Sequence, residues 1–507
     1  MTIVDLKSVS SLEKRMQLAE SYDAWVELAK QHDELSGMES WRFREQSDDY
    51  DYHEISMRLH RLKQLLGRND HEGLLFALNE GIHGNMGGMG NPILYNKSKF
   101  GTKQLITDYI QTLAESIERV VSDNCDEIPL EEKLDFLRRA SHCFGRSALM
   151  LSGGGNFGMF HVGVVQALRE TGTLPHIISG SSAGALVAGC LGTHSNKELD
   201  HFFGDSQFAD QLSREDRPDE STLFDRLLFG NGGALNLDYL EHILDEAISD
   251  MTFAESFELT GREINISISP QEEHQTPRLL NAITSPNVLI RSAVKASCAI
   301  PGVFPAVTLE AKAANGDKIP YLPSRKWIDG SVVGDLPAKR LARLYGVNHF
   351  VVSLANPLVL WAKSDPKVDR GLGSNLGRLA RQITKEGFNG GFRLTKNQLK
   401  RFPSINYAAN MAHSVLNQNY SGDVNIYPSF RFFNPRMLFK QLSAKEVRQL
   451  ANMGRAATWP KVEMLRNCML LSNILDESLA RSGNDYNELL MPKSAYQKKT
   501  RTADKAA

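Results

Sequence analysis

At 507 residues, 41% hydrophobic and 23% charged, the chain has the make-up of a globular protein long enough for two or three domains. A formal net charge of −2 excludes a whole-protein attraction to nucleic acid. The five cysteines, Cys125, Cys143, Cys190, Cys298 and Cys468, are odd in number and widely spaced. They give neither a disulfide framework nor a metal-ligand spacing, so the expectation is a reducing compartment and no metal or cofactor.

Met1 to Ser10 carries Asp5 and lacks the apolar core of a signal peptide. No apolar run reaches the roughly 18 residues of a membrane span. The expectation is a cytoplasmic protein whose contact with a membrane or lipid-droplet surface is peripheral.

Residues 1–140 read as a mainly helical domain. Met16 to Lys30 and His53 to Leu66 have apolar residues at helical spacing, and Gly81 to Asn91 is a glycine-rich break. Thr102 to Val121 predicts a long amphipathic helix with Leu105, Ile106, Tyr109, Ile110, Leu113, Ile117 and Val120 on one side. That side suits packing against a neighbouring domain, and a lipid-facing surface is the alternative.

From residue 145 strands and helices alternate: strand 147–152, helix 159–170, strand 175–180, helix 183–192. This is the βαβ pattern of an α/β fold, a mostly parallel sheet flanked by helices. Further strands are expected at Glu263–Ser269, Trp327–Ile328 and His349–Leu354, with Asn315 to Lys326 a loop. The catalytic domain is expected over 145–460. Within it, residues 363–401 carry ten Lys/Arg against three Asp/Glu. This stretch suits a lid over 357–404 or a solvated face, and equally a patch drawn to an anionic bilayer. A C-terminal helix and a disordered tail are expected over 461–507.

Two glycine motifs sit at the turns of this βαβ pattern. Gly180-Ser181-Ser182-Ala183-Gly184 lies between the second strand and its helix. A Gly-x-Ser-x-Gly turn holds its serine in strained dihedrals with Oγ projecting from the turn, which suits a nucleophile. Gly153-Gly154-Gly155-Asn156-Phe157-Gly158 joins the first strand to its helix. Such a loop presents backbone N–H groups to an anion. A dinucleotide site would want an acid at the end of the second strand, where the chain has Gly180-Ser181-Ser182. An oxyanion hole built from Gly153, Gly154, Gly155 and Asn156 fits better.

A serine nucleophile needs a base. His194, His201, His242, His274, His349 and His413 follow Ser182, and none has a loop-after-strand setting. Asp329 stands at the end of the short strand Trp327-Ile328, beside Gly330. Strand ends of α/β sheets gather ligand-facing side chains, so a Ser182–Asp329 dyad is the expectation. A turn aspartate with no chemistry is the alternative.

The ordered motifs Gly153 to Gly158, Gly180 to Gly184 and Asp329-Gly330 resemble those of the patatin-like phospholipases, as does the segment Ala296 to Pro305. The resemblance covers residues 146–345. It implies a three-layer α/β/α fold and a lipid acyl hydrolase, with Ser182 as nucleophile, Asp329 as proton acceptor and the first glycine motif as oxyanion hole. Gly158-Met159-Phe160-His161-Val162-Gly163-Val164 and Asp329-Gly330-Ser331-Val332 resemble the fungal and plant triacylglycerol lipase branch. So does the N-terminal stretch with Trp41, Tyr50-Asp51, Leu94-Tyr95 and Gly101-Thr102-Lys103, which resembles the DUF3336-like helical domain of that branch. Ser331 stands where many patatins have Ala or Gly, and the lipase branch shares it.

The expected reaction is cleavage of glycerolipid esters, triacylglycerol or phospholipid, through an acyl-serine. A catalytically silent lipid-surface scaffold and a transacylase using the same dyad are the alternatives. None of the 14 histidines has Asp five positions on, so the His-x₄-Asp acyltransferase motif of some fungal relatives is absent from this sequence.

Overall fold

The computed structural model describes residues 3–82, 84–122, 125–204, 237–272, 275–301, 304–356, 359–360, 420–428 and 442–490. The basic stretch 363–401, with the lid expected there, lies outside them, as do His274, His413 and the tail from Lys493. The chain divides into two compact units. One holds the residues up to Ser147, Tyr345–His349 and the chain from Pro460; the other holds Ala148–Leu344 and Phe350–Trp459.

The first unit is helical, with α1 (Ile3–Gln17), α2 (Tyr22–Ser36), α3 (Met38–Phe43), α4 (Tyr52–Arg68), α5 (His71–Asn79), α6 (Gln104–Val121) and α7 (Leu130–Phe144), and the C-terminal helix Val462–Leu490. Side-chain caps set several starts. Asp51 accepts the Glu54 N–H at 3.0 Å and Asp70 accepts the Gly73 N–H at 2.8 Å. Ser21 accepts the Ala24 N–H at 3.3 Å and opens α2. The single helix expected over Met16 to Lys30 is therefore two, because the apolar spacing runs on across a break that Ser21 caps.

Helix α6 buries all seven residues of its apolar side. They meet α4, α5 and the C-terminal helix inside this same unit. The stripe thus serves its own helical core, in place of the neighbouring domain or lipid expected for it.

The residues that carry the N-terminal resemblance also meet one another. Lys103 is fully buried; its ammonium lies 4.3 Å from the Trp41 ring centre and donates to the carbonyls of Trp41 and Arg44. The Thr102 hydroxyl donates to the Leu94 carbonyl at 3.1 Å, and Asn467 donates to the Tyr95 hydroxyl at 3.2 Å. These residues hold the unit together and carry no visible chemistry.

The second unit is built on a sheet. Its elements are β1 (Arg146–Leu151), α8 (Met159–Glu170), β2 (Ile177–Gly180), α9 (Ala183–Thr193), α10 (Asn196–Gly204), α11 (Leu237–Ala247), α12 (Phe253–Thr260), β3 (Glu263–Pro270), β4 (Arg278–Leu280), α13 (Ile290–Ser297), β5 (Leu309–Lys312), β6 (Lys318–Tyr321), β7 (Trp327–Asp329), α14 (Ser331–Gly334), α15 (Ala338–Tyr345), β8 (Val347–Ser353), β9 (Val424–Ile426) and α16 (Ala444–Thr458). The strand order is β4-β3-β2-β1-β8-β9. Strands β1, β2 and β3 run parallel, as do β8 and β9. Strands β4 and β7 pair antiparallel with β3, at Ile266–Ile268 and Ile268–Pro270. The fold is the α/β class expected, a mostly parallel sheet flanked by helices. The central strands are buried almost throughout, as in a sheet covered on both faces.

A further expectation fails. Asn315 to Lys326 is no simple loop, because β6 within it pairs with β5 as a hairpin. Lys318, Ile319 and Pro320 are all exposed, so this strand has no alternation of burial to read.

Helices α8 and α16 cross through two glycines. A Cβ on Gly163 would lie 1.7 Å from the Ala451 carbonyl oxygen, and one on Gly454 would lie 2.1 Å from that of Phe160. Only a residue without a Cβ permits this approach of backbone to backbone. Gly163→Ala is expected to push the helices apart and cost at least about 1–3 kcal/mol, the usual range for overpacking. Urea unfolding checks this; a midpoint equal to wild type would contradict the crossing.

Candidate active site

Strand β2 ends at Gly180 and α9 begins at Ala183, so Ser182 sits at the turn between them. Its backbone takes φ 52°, ψ −121°, a region that a residue with a side chain enters only under constraint. The constraint comes from packing. A Cβ on Gly180 would lie 2.2 Å from the Gly184 oxygen, and one on Gly184 would lie 2.3 Å from the Leu151 oxygen. The turn is thus pressed against its own helix and against the end of β1. The Ser182 N–H donates to Ser297 Oγ at 2.9 Å, and Ser297 Oγ donates onward to the Ser267 carbonyl at 2.7 Å.

The loop after β1 lies against this turn. A Cβ on Gly153 would meet Ser331 Cβ at 2.8 Å and Ser182 Cβ at 3.4 Å, and one on Gly158 would meet Ala183 Cβ at 2.5 Å. The Gly153 N–H donates to Asp335 Oδ1 at 2.8 Å. This amide is engaged and has no free hydrogen for a substrate, which corrects the expectation of a donor at Gly153. The Gly154 and Gly155 amides, by contrast, make no hydrogen bond among the described residues. Unengaged by any described residue, they are donors that an oxygen bearing negative charge would satisfy. Asn156 follows in the short 3₁₀ turn Gly155–Gly158.

Asp329 closes β7 and is 1% exposed. Its Oδ1 accepts the Ser331 N–H at 2.8 Å. Its Oδ2 is buried and has no hydrogen-bond partner among the described residues. Burial pushes the carboxyl up to about 6, against the opposing pull of the Ser331 amide and of the Ser331 and Ser182 hydroxyls. The Ser182 hydroxyl therefore lies close enough to favour the carboxylate, short of a well-formed hydrogen bond. Such bonds are commonly long before substrate is bound. Gly330 allows the chain to turn here, since a Cβ on it would lie 2.2 Å from the Ser267 oxygen.

The structure thus brings together Ser182, Asp329 and the Gly153–Gly155 loop, although 147 positions separate the two side chains in the chain. None of the described histidines hydrogen-bonds to Ser182 or Asp329. The ring of His349 pairs with the Ser147 hydroxyl, that of His194 with the Cys190 carbonyl, and His242 lies beside Glu246.

Sequence reasoning missed four contributors. Ser297 holds the Ser182 amide, the Cys298 thiol donates to the Ser182 carbonyl at 3.4 Å, and the Ala299 carbonyl accepts the Asp329 N–H at 3.0 Å. The segment from Ala296 is therefore a strap that grips both residues. The fourth is Asp335, 1% exposed, which holds the Gly153 amide. The Ser297-Cys298 pair set between Ala296 and Ala299-Ile300 was the available signal for the strap.

The patatin-like phospholipase profile matches residues 149–342, and a domain of unknown function (DUF3336) matches residues 4–142. Triacylglycerol lipase ptl3 of Schizosaccharomyces pombe is 32% identical over 91% of this chain and 95% of its own length. The chain belongs to the patatin-like phospholipase family. By that membership it is a carboxylic ester hydrolase. Triacylglycerol lipase SDP1L of Arabidopsis thaliana is 32% identical over 91% of this chain and 57% of its own. Triacylglycerol lipase 4 of Saccharomyces cerevisiae is 33% identical over 92% and 52%. The chain thus spans nearly all of the first relative and about half the length of the other two. Among solved structures, VipD from Legionella pneumophila is matched at 15% identity over 60% of this chain and 66% of its own, with a TM-score of 0.27. Among the described residues no helix of this patatin-like hydrolase is long and apolar enough to cross a membrane.

Ser297→Ala is expected to leave the Ser182 amide and the Ser267 carbonyl unmatched in the interior, at a cost of about 1–3 kcal/mol. Chemical denaturation measures this, and an unchanged midpoint would remove the strap.

Proposed function

We propose that this protein hydrolyses the acyl esters of glycerolipids, triacylglycerol foremost, through a Ser182–Asp329 dyad and an acyl-Ser182 intermediate. The observation that carries the reading is the convergence of three things. They are a serine held at positive φ and, among the described residues, a buried carboxyl with one oxygen unpartnered and two adjacent amides without acceptors. Triacylglycerol is preferred because all three relatives bear that name, one of them matched over 95% of its length.

In this reading the Ser182 hydroxyl gives its proton to Asp329 as Oγ attacks the ester carbonyl carbon. The carbonyl oxygen becomes an oxyanion and takes hydrogen bonds from the Gly154 and Gly155 amides. One such donor is worth about 10²–10³ in rate. Collapse of this intermediate expels the glycerolipid alkoxide, which leaves with the proton from Asp329. Water then attacks the acyl-serine, gives a proton to Asp329, and the fatty acid departs as Ser182 recovers its hydrogen. A carboxylate is ordinarily a weak base for a hydroxyl. Burial strengthens this one by raising its proton affinity.

On a short-chain nitrophenyl ester, Ser182→Ala is expected to lose nearly all turnover and all labelling by a fluorophosphonate probe. Asp329→Asn is expected to lose about 10²–10⁴ in kcat. Labelling that persists in a folded Ser182→Ala would mean another nucleophile. Replacing the nitrophenyl ester by triacylglycerol and phosphatidylcholine emulsions separates the two substrate classes, and a preference for the phospholipid would overturn the triacylglycerol assignment.

The pH dependence has a definite sign. Asp329 must be deprotonated to act as base, and its folded value is raised to about 6. Turnover is therefore expected to fall as pH drops through about 6. A stopped-flow or plate assay from pH 5 to 8 reads this limb; a flat profile would remove Asp329 as the base.

A further inference from the structure

Asp335 has no part in the dyad, yet it is 1% exposed and six residues beyond Asp329. Its Oδ1 accepts the Gly153 N–H at 2.8 Å. Gly153 is the residue whose Cα sits against Ser331 and Ser182, and the unmet amides of Gly154 and Gly155 follow it directly. On the other side of the loop entrance, Ser152 is held as firmly. Its carbonyl accepts from His161 Nε2 at 2.9 Å, and its hydroxyl accepts the Ala355 N–H at 2.9 Å. The second ring nitrogen of His161 pairs with the Ser353 hydroxyl at 2.7 Å. Burial lowers this imidazole to about 4, so it is neutral at neutral pH and donates from Nε2.

We propose that Asp335 is a positioning residue for ester hydrolysis, its carboxyl gripping the Gly153 amide so that the next two amides face the substrate oxygen beside Ser182. The inference rests on the dyad reading above. Without Asp335, rotation of the Gly153–Gly154 peptide would turn the donors away from the oxygen they serve, and only the transition state would suffer.

The groups that act on Asp335 are the Gly153 amide, Asp329 across the site, the Tyr420 hydroxyl and the Ser181 hydroxyl; Asp329 in turn faces Ser182, Ser331 and the Cys298 thiol. Burial pushes Asp335 up to about 7, and the Asp329 charge pushes it the same way. Asp335 therefore still holds its proton where Asp329 loses its own, near 6, and an acceptor oxygen for the Gly153 amide is present in either form.

Three variants measured beside wild type on the nitrophenyl ester decide the matter. Asp335→Ala removes the acceptor and is expected to lower kcat by about 10²-fold, the worth of one oxyanion donor, with KM little changed. Asp335→Asn keeps an acceptor oxygen without the charge. It is expected to recover about ten-fold or more of that loss at an unchanged KM. A rise in KM with kcat preserved in the alanine variant would overturn the proposal. So would an asparagine variant with no recovery. Should the alanine variant fail to fold, Asp335→Asn alone decides: kcat within about ten-fold of wild type at an unchanged KM is expected, and a rise in KM or a loss of about 10²-fold or more in kcat would overturn the proposal. Ser182→Ala is the third variant and separates the two readings. If it still turns over, the dyad has failed; if it is silent while the Asp335 variants match wild type, only the present inference has failed.

Discussion

The site depends on one backbone constraint, the positive φ of Ser182. A serine adopts that conformation only if its surroundings leave it no other. Here the surroundings are the Leu151 and Gly184 carbonyl oxygens, which come too close to tolerate any side chain on Gly184 or Gly180. That closeness requires β1 and β2 to be hydrogen-bonded neighbours in parallel, with Leu151 level with Gly180. Sheet register thus passes directly into the aim of a hydroxyl. The same parallel pairing sets the glycine loop after β1 beside the turn after β2, as expected where adjacent strands of an open α/β sheet end together.

The strap from Ser297 to Ala299 extends this constraint to the carboxyl. Each of its three residues spends a polar group on the site: a hydroxyl on the Ser182 amide, a thiol on the Ser182 carbonyl, a carbonyl on the Asp329 amide. Two side chains far apart in the chain are therefore referred to one short segment and not to each other. This explains how their relation can be close without a formed hydrogen bond between them. The backbone on either side is pinned.

The alternation from Ser147 to Thr193 was legible because each strand there is a short apolar run that leads through a glycine motif into a helix. The apolar side of α6 was equally plain, but its partners were not. A periodic stripe states that a face is buried and says nothing of what covers it. The C-terminal helix that covers it lies more than 340 residues away. Strand β6 was illegible for the opposite reason, since an exposed hairpin leaves no burial pattern. The glycine motifs marked where donors would gather, but could not tell a free amide from an engaged one. Gly153 looks equal to Gly154 in the sequence, and only the carboxyl of Asp335, folded back from 182 positions on, distinguishes them.

Burying two carboxyls in one site has a cost that runs opposite to its use. Asp329 and Asp335 are both raised, chiefly by burial, so the folded chain binds their protons more tightly than the unfolded chain does. Their contribution to stability is then fully present below the unfolded carboxylate range near 4 and is lost as pH climbs through about 6 and about 7. The proposed base becomes competent over that same interval. A site that used a cation to hold Asp329 ionised would avoid the loss, but it would also lower the proton affinity that a base for a serine hydroxyl needs. Hydrogen bonds from neutral donors, the Ser331 amide and the nearby hydroxyls, take the intermediate course. They limit the desolvation penalty without cancelling the basicity that burial creates.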